Sequence, residues 1–553
     1  MASKKIKIQS PENYDRFIDD KERRNKGQFY TPKLFADYAH KMISEVLGDN
    51  WKDEYVVWDN CCGTKNLTRD YRFKELYCST LEKTELDISA QFNTEAVSFQ
   101  FDFLNEPIAG RESLTGVYDD KLPKGLKDAL LENKPIVFFI NPPYVRANKI
   151  SGTSAGVSDT LVKKQMQKEK IEGSELIKQF LWRIVDIKRK FNLTNLYIAC
   201  FTKPTWLIKQ NSENLRKLFL NNFEYQKGVL FKASEFADVS SAWGITFNIW
   251  KSGNIKERNN FTHQLIENNN GEIKIIGDKL LCNFDGQNIK TTTEFISEKL
   301  VGKKHAEKIV YCKDIKKFEF AVDYANIYDE YISTILCSGN DVQANNFTCI
   351  RNVFPKSGGG IMQLTKKNIF ESCIVHSIKT LITTNWVIDK DMYNMNVNIP
   401  ISFRNDAFVY SIFGNYCCSV KIGNDQLKNE FFWMSKSEIE SLALKYDNDY
   451  CFNDAHSSSE RFVYTKLQDI SLSPEAQDVM DIANDIVRKT FKYRTQFNKE
   501  HPEYQINNWD CGFYQIKKLC KEYMPELLKE FKEVYKALAD KMRPMVYELG
   551  FLK

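Results

Sequence analysis

The chain has 553 residues, 42% of them hydrophobic and 27% charged, with a net charge of only +5. That length implies two to four domains, the composition is that of a soluble globular protein, and any nucleic-acid surface has to be a local patch. The N-terminus, Met1-Ala-Ser-Lys-Lys-Ile-Lys-Ile, lacks the apolar core of a signal peptide, and no uncharged apolar run approaches membrane-spanning length, so a cytoplasmic location is expected. Fourteen cysteines, with adjacent pairs at Cys61-Cys62 and Cys417-Cys418, show no C-x-x-C spacing. Together with six scattered histidines they indicate neither a zinc site nor a disulfide framework.

Residues 1–26 read as a polar, charged arm. Gly27-Gln-Phe-Tyr-Thr-Pro32 then leads into a helix, with Thr31 as the expected N-cap and Pro32 at the first helical position. Leu34, Phe35, Tyr38, Ala39, Met42, Ile43 and Val46 form its apolar stripe. A buried strand is expected at Tyr55–Trp58, followed by the small-residue turn Asp59-Asn-Cys-Cys-Gly-Thr-Lys-Asn-Leu-Thr68. Two further apolar runs end at Glu82 and Asp102. Three successive strands thus deliver an acid at the tip, and ligands of an open α/β sheet bind at that end of the strands.

The fourth run, Ile136–Ile140, ends in Asn141-Pro142-Pro143-Tyr144. Asn-Pro-Pro is a good turn in its own right, because proline fixes φ and biases the residue before it toward extended geometry. The same residues also converge a carboxamide oxygen and a backbone carbonyl on one spot beside an aromatic ring. That set suits a planar ligand with an exocyclic amine, adenine above all. From Val145 to Ser174 the chain reads as a Gly-, Ser- and Lys-rich loop. A helix through Leu176, Phe180 and Ile184 follows, then strands near 196–201, 228–231 and 245–250.

In this order the motifs resemble those of S-adenosylmethionine-dependent adenine-N6 DNA methyltransferases of the gamma type, in which the cofactor motifs precede an NPPY catalytic motif. The resemblance covers roughly residues 25–250 and implies a Rossmann-like, seven-stranded α/β domain over 27–255. A mixed α+β target-recognition region over 256–470 and a C-terminal helical region over 471–553 would follow it. It implies cofactor binding by Phe29, Tyr30, Thr31, Pro32, Asp59, Cys61, Gly63, Glu82, Asp102, Phe103 and Asn141, and catalysis by Asn141, Pro142, Pro143 and Tyr144. Tyr144 would stack on a base flipped out of double-stranded DNA. One departure is Lys65, where the family has glycine; at φ > 0 a lysine is strained, and its charge near a sulfonium would weaken cofactor binding.

Beyond residue 255 no chemical motif stands out. Ser357-Gly-Gly-Gly360 lacks the Gly-Lys-Ser/Thr of a phosphate loop, and basic clusters at Lys303-Lys304 and Lys313–Lys317 suit a solvated surface as well as a DNA patch. Ser473-Pro474 opens a helix with Ala476, Val479, Met480, Ala483, Ile486 and Val487 on one face, and a later helix carries Leu528, Phe531, Tyr535, Leu538 and Met542. Competing readings are an RNA or protein-glutamine amino methyltransferase and a DNA-binding protein that has lost catalysis. A separate restriction endonuclease is a possible partner, and a prokaryotic or phage origin fits the resemblance.

Overall fold

Every side chain of Ile136–Ile140 is buried, so this segment needs cover on both faces and sits in the middle of a sheet. The computed structural model describes residues 30–108, 121–144, 159–236, 243–254, 258–314, 319–352, 360–418, 420–423, 429–446, 460–504, 506 and 511–553. The arm 1–26, Phe29, the stretch Ser151–Ser158 and Ser357–Gly359 lie outside the described residues, as do 315–317 of the basic run at Lys313–Lys317. The chain divides into two units, residues 1–287 with 385–390, and residues 288–384 with 391–553. Among the described residues no helix is long and apolar enough to cross a membrane.

The first unit is built on a mixed sheet. Its strands are β1 (Val56–Asp59), β2 (Leu76–Thr80), β3 (Val97–Gln100), β4 (Ile136–Ile140), β5 (Leu196–Thr202), β6 (Phe223–Lys232), β7 (Gly244–Ser252), β8 (Asn260–Asn269) and β9 (Glu272–Cys282). Their order is β3-β2-β1-β4-β5-β7-β6-β8-β9. Strands β1 to β5 are mutually parallel, and β7 runs antiparallel to both β5 and β6. The sheet therefore has nine strands where seven were expected. The two additional strands form a hairpin whose second strand is largely exposed, Ile275, Ile276 and Leu280 included, so its apolar residues do not follow the pattern of a buried strand.

Alternate side chains of the central strands face opposite layers. On one face Val57, Val137, Phe139, Phe201 and Phe247 join Phe35, Ala39, Met42 and Ile43 of α1 (Lys33–Leu47) in one core. Phe35 stacks on Phe231 of β6 with ring centroids 4.4 Å apart. On the other face Trp58 packs on Phe138. A short α2 (Lys83–Ser89) follows β2, and α3 (Leu176–Phe191) places Phe180 against Phe103. The loop expected before α3 contains a helix, Leu161–Lys168. Thr160 accepts the Lys163 amide at its N-terminus, and Leu161, Val162 and Met166 bury its apolar side.

The second unit has two three-stranded sheets and a helical group. One sheet is ordered β11-β10-β15, from β10 (Lys304–Asp314), β11 (Glu319–Tyr328) and β15 (Val420–Ile422); the other is β13-β12-β14, from β12 (Tyr331–Leu336), β13 (Cys349–Arg351) and β14 (Ile361–Thr365). The helices include α4 (Ile401–Gly414), α5 (Pro474–Thr490) and α6 (Pro525–Glu548). Ser473 caps α5 by accepting the Ala476 amide at 3.3 Å, and the apolar stripe expected for α5 is buried. Tyr410 of α4 stacks on Tyr535 of α6 at 4.9 Å.

Candidate functional site at the carboxyl edge of the sheet

Because β3, β2, β1, β4 and β5 are neighbours and parallel, their carboxyl ends share one edge of the sheet. Asp102, Glu82, Asp59, Asn141 and Lys203 follow those ends in that spatial order, with adjacent strands about 4.8 Å apart. This is the crevice edge where open α/β sheets bind ligands.

Asn141 is held from two sides. Its Nδ2 donates to Thr31 Oγ1 at 2.9 Å, and the Tyr144 hydroxyl donates to its Oδ1 at 2.7 Å. The first bond fixes which end of the carboxamide is the acceptor. It also corrects the expected helix start: α1 begins at Lys33 with Pro32 as its cap residue and no side-chain cap bond. The Thr31 hydroxyl serves a strand tip 110 positions away instead of its own helix. Pro142 is buried and Pro143 half-buried. The Tyr144 ring is 7% exposed and meets Trp243 edge-on at 5.7 Å, and burial holds its hydroxyl well above the usual phenol range. Lys203 donates to the Tyr144 carbonyl at 3.0 Å, with its ammonium 4.7 Å from the centre of the Trp243 ring.

The β1 tip differs in kind. Asp59 is 1% exposed, its Oδ1 accepts the Cys61 amide at 3.4 Å, and its Oδ2 has no partner. Neither atom of the buried Asn60 carboxamide has a partner. Burial pushes the Asp59 carboxyl well above its ordinary range; it also pushes the Cys61 thiol up, against the lowering effect of the Asn141 backbone N–H. Unpaired buried polar atoms are uncommon in native folds, and these lie at the strand tip next to that of Asn141. Gly63 turns the chain with φ +51°, which favours glycine, and a Cβ there would crowd the Tyr30 ring at 3.1 Å from Cε1.

The remaining expected residues are divided. Tyr30 reaches into the same turn, its hydroxyl donating to Glu85 Oε1 at 3.3 Å. Glu82 sits at the start of α2, where its carbonyl accepts the Glu85 amide. Asp102 spends its oxygens on its own turn, accepting from the Leu104 and Asn105 amides and from Asn105 Nδ2. Phe103 is core, stacked on Phe180 at 5.2 Å. Lys65 does adopt the left-handed conformation, φ 63°, and its ammonium donates to the Phe92 carbonyl at 2.9 Å.

Reading the sequence missed Glu85, 3% exposed, which accepts from both Tyr30 and Thr80. The signal was present, since Glu85 lies three residues after Glu82 on a short helix. Asn60 carries no signal of its own, since an asparagine inside a small-residue turn is ordinary turn chemistry. Trp243 offered no signal, because its neighbours Tyr144 and Lys203 are distant in sequence.

No protein-family model matches the chain, and no curated protein does. Solved structures similar to it include the methyltransferase subunit of a type I restriction-modification system from Streptococcus thermophilus, at 15% identity over 45% of this chain and 50% of that one, TM-score 0.30. The chain thus spans half the length of that subunit. Others are the type IIG restriction endonuclease BpuSI, at 13% identity over 47% of this chain and 31% of that one, TM-score 0.30, and the M protein of the type I restriction enzyme EcoKI, at 12%, 43%, 48% and 0.27 respectively.

Proposed function

We propose that this chain transfers a methyl group from S-adenosylmethionine to the N6 amino group of adenine in DNA. The observation that carries the reading is the Asn141 carboxamide, fixed by Thr31 and Tyr144 at a parallel strand tip next to the unpaired buried polar atoms of Asp59 and Asn60. Those atoms fit the cofactor: a carboxylate oxygen and a carboxamide with donor and acceptor are the groups that a cationic, hydroxyl-bearing ligand needs. Asp59, Asn60 and Glu82 would hold it, with the Gly63 turn and Tyr30 against it. When bound it supplies an electrophilic methyl group.

The chain's own residues act on the base. The amino lone pair of adenine is delocalised into the ring, which makes the nitrogen a poor nucleophile. Asn141 Oδ1 and the Pro142 carbonyl accept its two hydrogens and favour the tetrahedral nitrogen of the transition state. A carboxamide oxygen accepts two hydrogen bonds, so the Tyr144 hydroxyl and an amino hydrogen can share Oδ1. Tyr144, Trp243 and Lys203 form the aromatic and cationic wall on the β5 side, against which a base taken out of the duplex would pack.

The test is methyl transfer from labelled S-adenosylmethionine to methylation-free DNA, followed by nucleoside analysis, with Asn141→Ala in parallel. Wild type should produce N6-methyladenine, and the variant should be slower by about 10²-fold or more while still binding the cofactor. Cofactor binding without any DNA product would overturn the DNA assignment in favour of RNA or protein amides.

A further inference from the structure

The β10–β11 hairpin carries two faces of different chemistry. Antiparallel register sets Lys304 opposite Tyr328, Ala306 opposite Asn326, Lys308 opposite Tyr324 and Val310 opposite Val322, and directly paired residues share a face. The alternate set contains Ile309, Tyr311 and Ile327, which pack with Tyr331 into a small core. On the outward set only the far end is covered, where Cys312 packs with Cys418, Tyr504 and Tyr514.

The outward face nevertheless keeps large side chains in water. Tyr324 is 76% exposed and Val322 57%, while Lys304, Lys308 and Asn326 are exposed as well. The Lys304 ammonium lies 4.8 Å from the centre of the Tyr328 ring. Among these eight paired positions two are lysines and none is acidic. A bare tyrosine and valine flanked by cations are costly to leave exposed, and an anionic polymer with planar, polar edges complements them.

We propose that this outward face is a duplex-DNA contact surface, with the two-stranded end of the hairpin, Lys304–Lys308 with Tyr324–Tyr328, lying in the major groove. The proposal rests on the DNA reading above and gives it a specific location. A two-stranded ribbon has the width the major groove admits; β15 pairs with β10 only from Ile309 onward, so five residues of each strand are free to enter it, roughly 17 Å or about half a helical turn of duplex. Lys304 and Lys308 contact phosphates. Tyr324 and Asn326 meet base edges, where a carboxamide pairs bidentately with adenine, and the Val322 methyls suit a thymine methyl.

The experiment uses the full chain and a random-sequence pool of methylation-free duplexes, measuring affinity across salt concentrations and mapping the sites methylated. Lys304→Ala/Lys308→Ala should bind the pool about tenfold more weakly at moderate salt, with a log–log salt slope shallower by about two. Tyr324→Ala/Asn326→Ala should keep the slope and lose about tenfold in preference for methylated over unmethylated sequences. All these side chains are exposed, so melting and S-adenosylmethionine binding should be unchanged, which controls for folding. Wild-type affinity, slope and site preference in both variants, with wild-type methyl transfer intact, would overturn the ribbon assignment alone. So would a change in oligomeric mass with DNA binding unaltered, which would make the face a protein interface. A wild type that transfers nothing to DNA overturns the DNA reading itself.

Discussion

The tips of β1 and β3 carry the same residue type at the same end of the same sheet and use it in opposite ways. Asp102 is satisfied by its own turn, with two backbone amides and a side-chain amide on its oxygens. Asp59 is almost fully buried, has one long contact to the Cys61 amide, and leaves Oδ2 unpaired beside an Asn60 that is unpaired at both ends. A buried polar atom without a partner costs about 1–3 kcal/mol. A bound ligand that supplied the missing partner would remove that cost. An acid at a strand end is therefore poised for a ligand only when the following turn does not consume it.

The sharpest way to break this contrast is to remove each carboxylate in turn. Asp59→Ala should weaken S-adenosylmethionine binding by about 10- to 100-fold, the scale of a lost charged hydrogen bond. Asp102→Ala should change that affinity by less than about threefold and instead lower stability by about 1 kcal/mol, as loss of a capping acceptor does. Calorimetric titration and thermal melting of both variants measure the two effects. Equal losses of affinity would mean that Asp102 exchanges its turn for the ligand, and the distinction would fail.

Acid should unsettle the β1 tip through His40. Its Nε2–H donates to the Leu67 carbonyl at 2.8 Å, the ring stacks on Tyr71, and Nδ1 is buried without a partner. Burial pushes its pKa down to about 3, assisted by Lys52 and Lys33 and opposed by the Leu67 bond and Asp37. The folded pKa lies below the unfolded value near 6.5, so this contribution to stability is complete above pH 6.5 and falls as the pH drops toward 3. At pH 5 the loss is about 2 kcal/mol. Asp59, with its pKa raised by burial, titrates with the opposite sign. The measurement is therefore the difference in pH dependence between wild type and His40→Gln, read by denaturant unfolding. Parallel curves would remove His40 as the cause.

Much of the frame was legible in sequence because it rests on uninterrupted apolar runs. Ile136–Ile140 and the Pro474 helix announce themselves by burial pattern and by cap residues. The site was legible only to the level of strand tips. Asp59 and Asp102 look alike as letters, and what separates them is how fully the following turn folds back: one long amide contact reaches Asp59, whereas two amides and the Asn105 side chain reach Asp102. Thr31 before a proline reads as a cap, yet its partner is 110 positions away, a distance no local pattern spans. Segment 385–390 belongs with the first unit although its neighbours in sequence belong to the second, and nothing in its composition marks that.

The Thr31 bond offers a finer test, since it orients the carboxamide without being one of the acceptors assigned to the base. Thr31→Val keeps the shape and removes the acceptor, leaving Asn141 Nδ2 without this partner. The rate of methyl transfer should fall about tenfold, the order of one modest hydrogen bond, with cofactor affinity nearly unchanged. Thr31→Ser restores a hydroxyl and should recover most of the rate. A purely structural role would lower stability in Val and leave the rate per folded molecule intact, which single-turnover kinetics and melting together distinguish.

A similarly small effect on cofactor binding should come from Lys65, the residue at which the motif resemblance breaks most visibly. Lys65 occupies a left-handed position that costs a non-glycine residue about 1–2 kcal/mol, and an ammonium beside the cofactor's sulfonium would add repulsion. In the folded chain that ammonium is buried and ends on the Phe92 carbonyl, 27 residues along the sequence. Lys65→Gly should relieve the backbone yet forfeit that bond and the packing of the stem, so stability should not rise. Affinity for S-adenosylmethionine should change by less than about twofold, on the order of 0.4 kcal/mol. A gain of about tenfold or more on titration would show that the Lys65 charge acts on the ligand after all, and the β1 tip would then be a site weakened by its own turn.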